Sequence, residues 1–286
     1  MQIAVSRTLA RAARHRQTLG QHILLATVGV VFIIPWWWMI STSLKSKEQL
    51  LIWPPTWIPM PLLGQNYIDA FTRAGLLQYG QNTLIIALIS VVGTILSNTL
   101  VAYGFSRLRW PGRDTVFLGV LATMMLPFHV RMIPLYVVFS NLGWINTFLP
   151  LTVHSFFSSA WYVFLLRQFF LVIPADLTDA ARIDGCSEWG ILWNIILPLA
   201  KPAIAVVAMF QFISSWNEYL QPLIYLYDKR LYTISLGLAS LRETYGMSNF
   251  AVIMAAATMT TLPIVILFSL TQRTFIQGIT FTGIRG

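Results

Sequence analysis

Cysteine and charge are the two things this chain has least of: Cys186 is the lone cysteine among 286 residues, and charged residues make up 10%. One thiol excludes an internal disulfide framework and a cysteine-based metal cluster, and no base or orienting group is evident beside it to make it a nucleophile. Acidic residues are the scarcer sign, with ten Asp and Glu against nineteen Lys and Arg, for a net charge of +9. The basic residues are scattered through short segments rather than gathered in one patch, which favours membrane topology over nucleic-acid binding. Catalytic signatures are missing too: there is no H-E-x-x-H, no G-x-S-x-G, no pair of aspartates in an apolar stretch and no phosphate-holding G-x-x-x-x-G-K-S/T loop. No internal repeat or low-complexity tract is visible.

What is there is oil. Hydrophobic residues reach 56% and the mean hydropathy is +0.67, outside the soluble range. A bilayer core about 30 Å thick needs about 20 helical residues per crossing. Six apolar segments qualify, at about 19–44, 79–106, 115–140, 147–172, 200–227 and 249–272. Backbone groups in lipid must pair within their own segment, and the short alternating strands of a barrel are absent. The expected fold class is therefore all-α, a polytopic membrane protein with six transmembrane helices. Residues 1–18 form an N-terminal segment and 19–286 the transmembrane domain. The first apolar stretch is too long for a signal h-region and lacks an A-x-A-like site, so it reads as a retained span.

Lys and Arg set the orientation. With the N-terminus inside, the inner segments hold Arg7, Arg11, Arg14, Arg16, Arg107, Arg109, Arg113, Arg167, Arg182, Lys201, Arg273 and Arg285; the outer ones hold Lys45, Lys47, Arg73, Lys229, Arg230 and Arg242. This bias places both termini in the cytoplasm, with the "RLRWPGR" turn (107–113) on the same side. The first external loop, about 45–78, carries "LIWPPTWIPMP", which suits a membrane interface rather than a folded domain.

The longest inner loop, 173–199, is polar and patterned. Pro174 suits a first helical turn, with Asp176 and Asp179 at its positive end. Gly185 can take the left-handed conformation that stops a helix, and Ser187 can cap the next. Pro198 and Pro202 break this unit from the fifth span. At about 100° per residue, Ala180, Ala181, Asp184 and Gly185 share one small face, flanked by the apolar Ile183, Trp189, Leu192 and Trp193. Such a surface fits close docking of a partner, and equally an amphipathic helix lying on the inner leaflet.

Ionisable groups at membrane depth mark pathways or packing pairs. His129 and Arg131 in the third span lie at a depth comparable with Glu218 in the fifth, so an Arg131–Glu218 pair is geometrically possible. With Gln211, Ser214, Ser215, Trp216, Asn217 and Tyr219 these groups form a candidate path for a hydroxyl-rich solute, or else a buried pair fixing helix packing. Pro127 and Pro134 would break the third span there. His129 has no second ligand at helical spacing and is not read as a metal site. Ser90, Thr94, Ala251 and Ala255 read as helix-packing contacts, and the Trp cluster 36–38 as a depth or packing marker.

The loop resembles the motif of ABC-importer permeases: Glu-Ala-Ala, three residues, Gly, nine residues, Ile-x-Leu-Pro. Here it is Asp179-Ala180-Ala181, Gly185, and Ile195-x-Leu197-Pro198, with both spacings kept and Asp for Glu as the departure. "AYGFSRLRWPGRD" (102–114), "MLPFHVRMIPLY" (125–136), "FLLRQFFLVIP" (164–174), "SSWNEYLQPL" (214–223) and the tail "QRTFIQGITFTGIRG" (272–286) are similar to the carbohydrate, maltose-type branch. The resemblance implies a non-catalytic permease subunit in a bacterial or archaeal inner membrane, importing a sugar by alternating access. The 174–198 segment, with Asp184 among its residues, would be a coupling helix seated on a separate nucleotide-binding subunit. The chain would bind no cofactor itself; ATP and Mg would sit on that ATPase dimer. A second homologous permease and an extracytoplasmic solute-binding protein would complete the assembly. A glycerol phosphate or another polar solute is the alternative cargo. An intramembrane enzyme lacks its constellations here, and a self-sufficient secondary transporter lacks coupling-ion groups and an inverted repeat.

Overall fold

A computed structural model describes the backbone of residues 2–245 and 249–280, with side chains over 18–243, apart from Leu19, and over 249–272. Residues 281–286, with Arg285 and the end of the tail motif, lie outside the described residues, as do the side chains of Arg7, Arg11, Arg14, Arg16 and Arg273. The chain divides into two units, 1–74 with 242–259, and 75–241 with 260–286.

The elements run α1 (Gln2–Ser43), α2 (Lys47–Leu50), α3 (Gln65–Thr72), α4 (Leu76–Ser106), α5 (Arg113–Ala122), α6 (Phe128–Asn141), α7 (Leu149–Thr152), α8 (Ala160–Val172), α9 (Ala175–Ile183), α10 (Glu188–Ile191), α11 (Leu197–Leu199), α12 (Lys201–Asn217), α13 (Leu220–Tyr225), α14 (Ile234–Tyr245) and α15 (Phe250–Thr280). No strand occurs among the described residues. Among the described residues, four stretches are long and apolar enough to cross a membrane: Gly20–Ser43, Leu76–Ser106, Leu149–Val172 and Phe250–Gln272. Two bent pairs would bring the number to six if each were counted as one span. α5 with its 3-10 extension meets α6 at 93°, and Glu188–Leu199 meets α12 at 79°.

The bends have local causes. Pro127 is extended and stands just before α6, where it supplies no N–H to continue α5. Pro134, the other residue expected to break the third span, remains inside α6. The fifth span is shorter than the expected 200–227, because α12 stops at Glu218, whose backbone is extended. Its carboxylate Oε1 accepts the N–H groups of Leu220 and Gln221 at 3.0 and 3.1 Å, capping the first turn of α13. The fourth span is interrupted as well: a 3-10 stretch over Val153–Phe157 ends at Ser158, with φ +59°.

Within the larger unit, α4 is the helix the others rest on, packing against α7, α8 and α12. Its amphipathicity is inverted. The exposed side carries Leu84, Ile85, Leu88, Ile89, Val92, Leu96 and Leu100, whereas the buried stripe holds Asn82, Thr83, Ser90, Thr94 and Asn98. Lipid tails give apolar side chains no reason to turn inward, so polar and small residues do so instead. These groups satisfy the interrupted fourth span. Ser90 donates to the Leu151 carbonyl at 3.4 Å, Ser97 to Ser155 at 3.0 Å, and Asn98 Oδ1 accepts the Ser159 N–H at 2.7 Å. Gly93 lies against this segment, and a Cβ there would come within 2.7 Å of the Phe156 ring. At the other end of α4, Asn82 donates to the Arg230 and Tyr232 carbonyls, and Thr83 Oγ1 accepts the Ile234 N–H at 2.7 Å, starting α14. Ser90 is thus a packing contact as expected; Thr94 is buried, as are Ala251 and Ala255.

In the smaller unit, the loop after α1 is more folded than its composition suggests. Asn66 donates to the Ser43 and Lys45 carbonyls, both at 2.9 Å, and Ser43 meets the Tyr67 hydroxyl at 2.7 Å. Trp38 packs edge-on to Trp57, and the Lys45 ammonium lies 4.1 Å from the Trp38 ring centroid. Burial pushes the Lys45 ammonium pKa down. Leu51, Trp53 and Met60 in the same loop stay exposed, the part that suits an interface.

Asn98→Ala removes the acceptor for Ser159 and should cost about 1–3 kcal/mol. Leu96→Ala, on the exposed face of the same helix, should cost about 0.5 kcal/mol or less. Thermal unfolding in one detergent compares the two; equal losses would contradict the polar-stripe account.

Candidate functional site

The 173–199 loop folds as its residues demand. Pro174 precedes α9, Asp176 lies in the first turn and Arg182 in the last, each at the helix end its charge favours. Gly185 has φ +82°. Its N–H reaches the Arg182 carbonyl at 3.1 Å, and the Cys186 N–H reaches Ala181 at 2.9 Å. Together these two bonds make the paired closure of a Schellman turn. Ser187 Oγ then accepts the Gly190 N–H at 3.2 Å and caps α10. A π-helical turn over Leu192–Ile196, which the residue pattern did not announce, leads through α11 to the bend at Ala200.

Burial sorts the loop into two faces. Thr178, Ala181, Ile191, Leu192 and Ile196 are buried. Ala181, Ile191, Leu192 and Ile196 belong to one apolar cluster with Tyr103, Leu166 and Phe170, and Ile195 and Leu197 pack against it. Two expectations are corrected here: Ala181 turns inward and leaves the small outer face, and Leu192 is core rather than anchor. Asp179, Ala180, Asp184, Gly185 and Pro198 remain exposed. Around them stand Ile183 at 87%, Trp189 at 63% and Trp193 at 54% exposure. An open groove of about 570 Å³ adjoins this face, lined by Arg107, Arg109, Trp110, Asp179, Arg182 and Glu188.

Several arginines at this end do more than set topology. Arg107 donates to the Phe170 carbonyl and, at 2.5 Å, to that of Ile173, closing the end of α8. Arg167 returns the service, donating to the Phe105 carbonyl at the end of α4 at 3.1 Å and lying over the Phe117 ring. Burial pulls the Arg107 pKa below its ordinary value. Tyr103 and Glu188 join this network through a 2.5 Å hydrogen bond. Sequence reasoning missed both; the one available signal was Glu188 directly after the capping Ser187.

A second polar site lies within the larger unit, a cavity of about 40 Å³ lined by His154, Gln211, Ser214, Ser215, Glu218, Gln221 and Thr233 among others. Gln211 donates to Ser215 at 2.9 Å, and the Thr233 hydroxyl is buried without a partner. Four expected path residues therefore converge, joined by His154, Gln221 and Thr233, which were not among the expected path residues. Others do not converge. Trp216 is buried, stacks on Phe212 and donates to the Thr260 carbonyl at 3.0 Å. Asn217 donates back to the Ile213 carbonyl. His129, Arg131 and Tyr219 are exposed and do not line the cavity. The Arg131–Glu218 ion pair is absent among the described residues. The break in the fifth span claims the carboxylate for backbone N–H groups instead.

Long apolar helices, broken spans and a polar cavity within the larger unit are the features of a multi-pass membrane protein. Residues 99–281 match the model of the binding-protein-dependent transport system inner membrane component, and the chain belongs to that family. It is 37% identical to the arabinooligosaccharides transport system permease protein AraQ of Halalkalibacterium halodurans, over 92% of this chain and 96% of the relative. It is 32% identical to the sn-glycerol-3-phosphate transport system permease protein UgpE of Rhizobium meliloti, over 91% and 95%. The fold is similar to a chain of a crystal structure of a bacterial ABC transporter involved in import of the acidic polysaccharide alginate. That match has a TM-score of 0.78 and 24% identity, covering 89% of this chain and 95% of the other.

If Trp216 is a packing residue, Trp216→Phe should lower the melting temperature by the equivalent of about 1 kcal/mol, from the lost hydrogen bond, with solute KM unchanged. Gln211→Ala and Ser215→Ala should raise KM with little effect on melting. The reverse pattern in a transport assay would return Trp216 to the path.

Proposed function

We propose that this chain is one of two homologous permease subunits of an ATP-driven importer that carries a neutral sugar into the cytoplasm by alternating access. The observation that carries the reading is the 174–198 loop, where a Schellman turn at Gly185 presents Ile183, Trp189 and Trp193 around the exposed Asp179, Ala180 and Asp184. Apolar anchors around a small, charged centre suit a protein socket. Its partner is a nucleotide-binding dimer that holds ATP and Mg, since this chain has no phosphate-binding loop. A solute-binding protein delivers cargo from outside. The Lys and Arg bias supports placing this loop and both termini in the cytoplasm.

The cavity supports the cargo class. Side-chain amides, hydroxyls, an imidazole and the Glu218 carboxylate offer hydrogen bonds to sugar hydroxyls, and none of the lining side chains named is an arginine or lysine that would favour a phosphate or a uronic acid. The name of the AraQ relative, arabinooligosaccharides transport system permease protein, agrees with a sugar. That of the UgpE relative names sn-glycerol-3-phosphate, the competing solute; uptake of that solute and not of sugar by the complete transporter would overturn the cargo class.

Cys186 is exposed and is the lone cysteine, so a membrane-impermeant maleimide reports the side of the loop directly. Labelling is expected in inverted vesicles and not in right-side-out ones; the opposite result removes the coupling role. Gly185→Trp should abolish uptake by the assembled transporter while membrane insertion persists. Vesicles holding this chain alone should accumulate no sugar, and uptake without an ATPase would refute the proposal.

A further inference from the structure

At the loop end, four side chains form one unbroken hydrogen-bonded line. The Tyr103 hydroxyl, in the last turn of α4, donates to Glu188 Oε2 at 2.5 Å. Arg182 donates from Nε to Glu188 Oε1 at 2.8 Å and from Nη2 to Oε2 at 3.3 Å. Its Nη1 reaches Asp179 Oδ1 at 2.7 Å. Glu188 thus accepts from α4 on one side and from α9 on the other.

The loop also touches the bundle through Ile191, Leu192 and Ile196, but apolar contact is non-directional and lets surfaces slide. Hydrogen bonds to a carboxylate fix distance and angle together. α4 is the element that would need to be moved, because α7, α8 and α12 pack on it. Asp179, Arg182 and Glu188 are too exposed for their ion pairs to matter much for stability. What the line provides is geometry. It also orients Asp179, whose side chain is one methylene shorter than the Glu of the related motif.

We infer that Tyr103–Glu188–Arg182–Asp179 is a rigid tie that delivers displacement of the loop to α4, with Tyr103 and Glu188 as positioning residues that touch neither solute nor nucleotide. This rests on the coupling role proposed above. The Arg182 guanidinium, then the Tyr103 hydroxyl, hold Glu188 below the usual carboxylate range, so both of its oxygens stay acceptors at neutral pH.

The test uses the complete transporter in liposomes, with its own ATPase and with solute-loaded binding protein, measuring ATP hydrolysed and solute carried together. Tyr103→Phe and Glu188→Gln should keep the hydrolysis that loaded binding protein stimulates, while solute carried per ATP falls about fivefold or more. The double variant should be no worse than the worse single one, because both break the same link. Melting temperatures should fall by no more than a single lost hydrogen bond accounts for, with the assembled transporter still recovered intact. An unchanged ratio of transport to hydrolysis, with both falling in proportion or both unaffected, overturns the tie while leaving the coupling role intact. Failure of the unsubstituted chain to assemble with any ATPase overturns the coupling role itself.

Discussion

Every backbone amide in the hydrocarbon layer must find a partner inside the protein, and this chain breaks several of its spans there. The structure depends on how those breaks are repaired. The interruption at Ser158 is repaired by Ser90, Ser97 and Asn98 of α4, and that at Glu218 by its own carboxylate. An unrepaired break would cost several kcal/mol per orphaned group. The polar stripe of α4 therefore does what an apolar stripe does in a water-soluble bundle: it selects one arrangement of neighbours. Close approach follows from it, with Gly93 admitting Phe156 and Gly237 admitting the Tyr79 ring.

The same economy governs the loop end. Arginines that would otherwise serve only as topological markers close helix ends: Arg107 holds the carbonyls of Phe170 and Ile173, and Arg167 that of Phe105. Each guanidinium lies where the helix dipole is negative. The two helices are therefore clamped reciprocally, α4 by an arginine from α8 and α8 by one just past α4. The apolar cluster from Ala102 to Val207 fills the space beneath. The exposed loop face is thus mounted on a stiff base, as the proposed coupling role requires.

Much of this was legible from residues alone. The six spans follow from length and hydropathy, and Gly185, Ser187 and Pro174 mark the loop's turns because glycine tolerates positive φ, serine accepts a backbone N–H at a helix start and proline fixes φ. Burial within the loop was not legible: Ala180 and Ala181 are chemically identical and adjacent, and only the packing of α9 decides that one is exposed and the other buried. Depth arithmetic put Arg131 level with Glu218 but said nothing of azimuth, and the 93° bend before α6 removes the straight-helix premise on which it rested. Tyr103 and Glu188 are 85 residues apart, a separation at which no local pattern speaks.

The fate of Trp216 bears on the proposed solute path. An aromatic beside Asn and Glu reads naturally as a stacking platform for a sugar, yet its indole N–H is spent on the Thr260 carbonyl and its face on Phe212. Of the polar groups at that depth, most are consumed by backbone: Asn217 by Ile213, and one Glu218 oxygen by α13. What remains unspent is the Thr233 hydroxyl and the other Glu218 oxygen, beside Gln211 and Ser215, all facing one small cavity. A path for hydroxyl-rich cargo needs donors and acceptors that the fold has not already used. Counting what each break consumes therefore points to this cavity more firmly than residue type does, and a solute that met it would encounter hydrogen-bonding edges rather than an aromatic face.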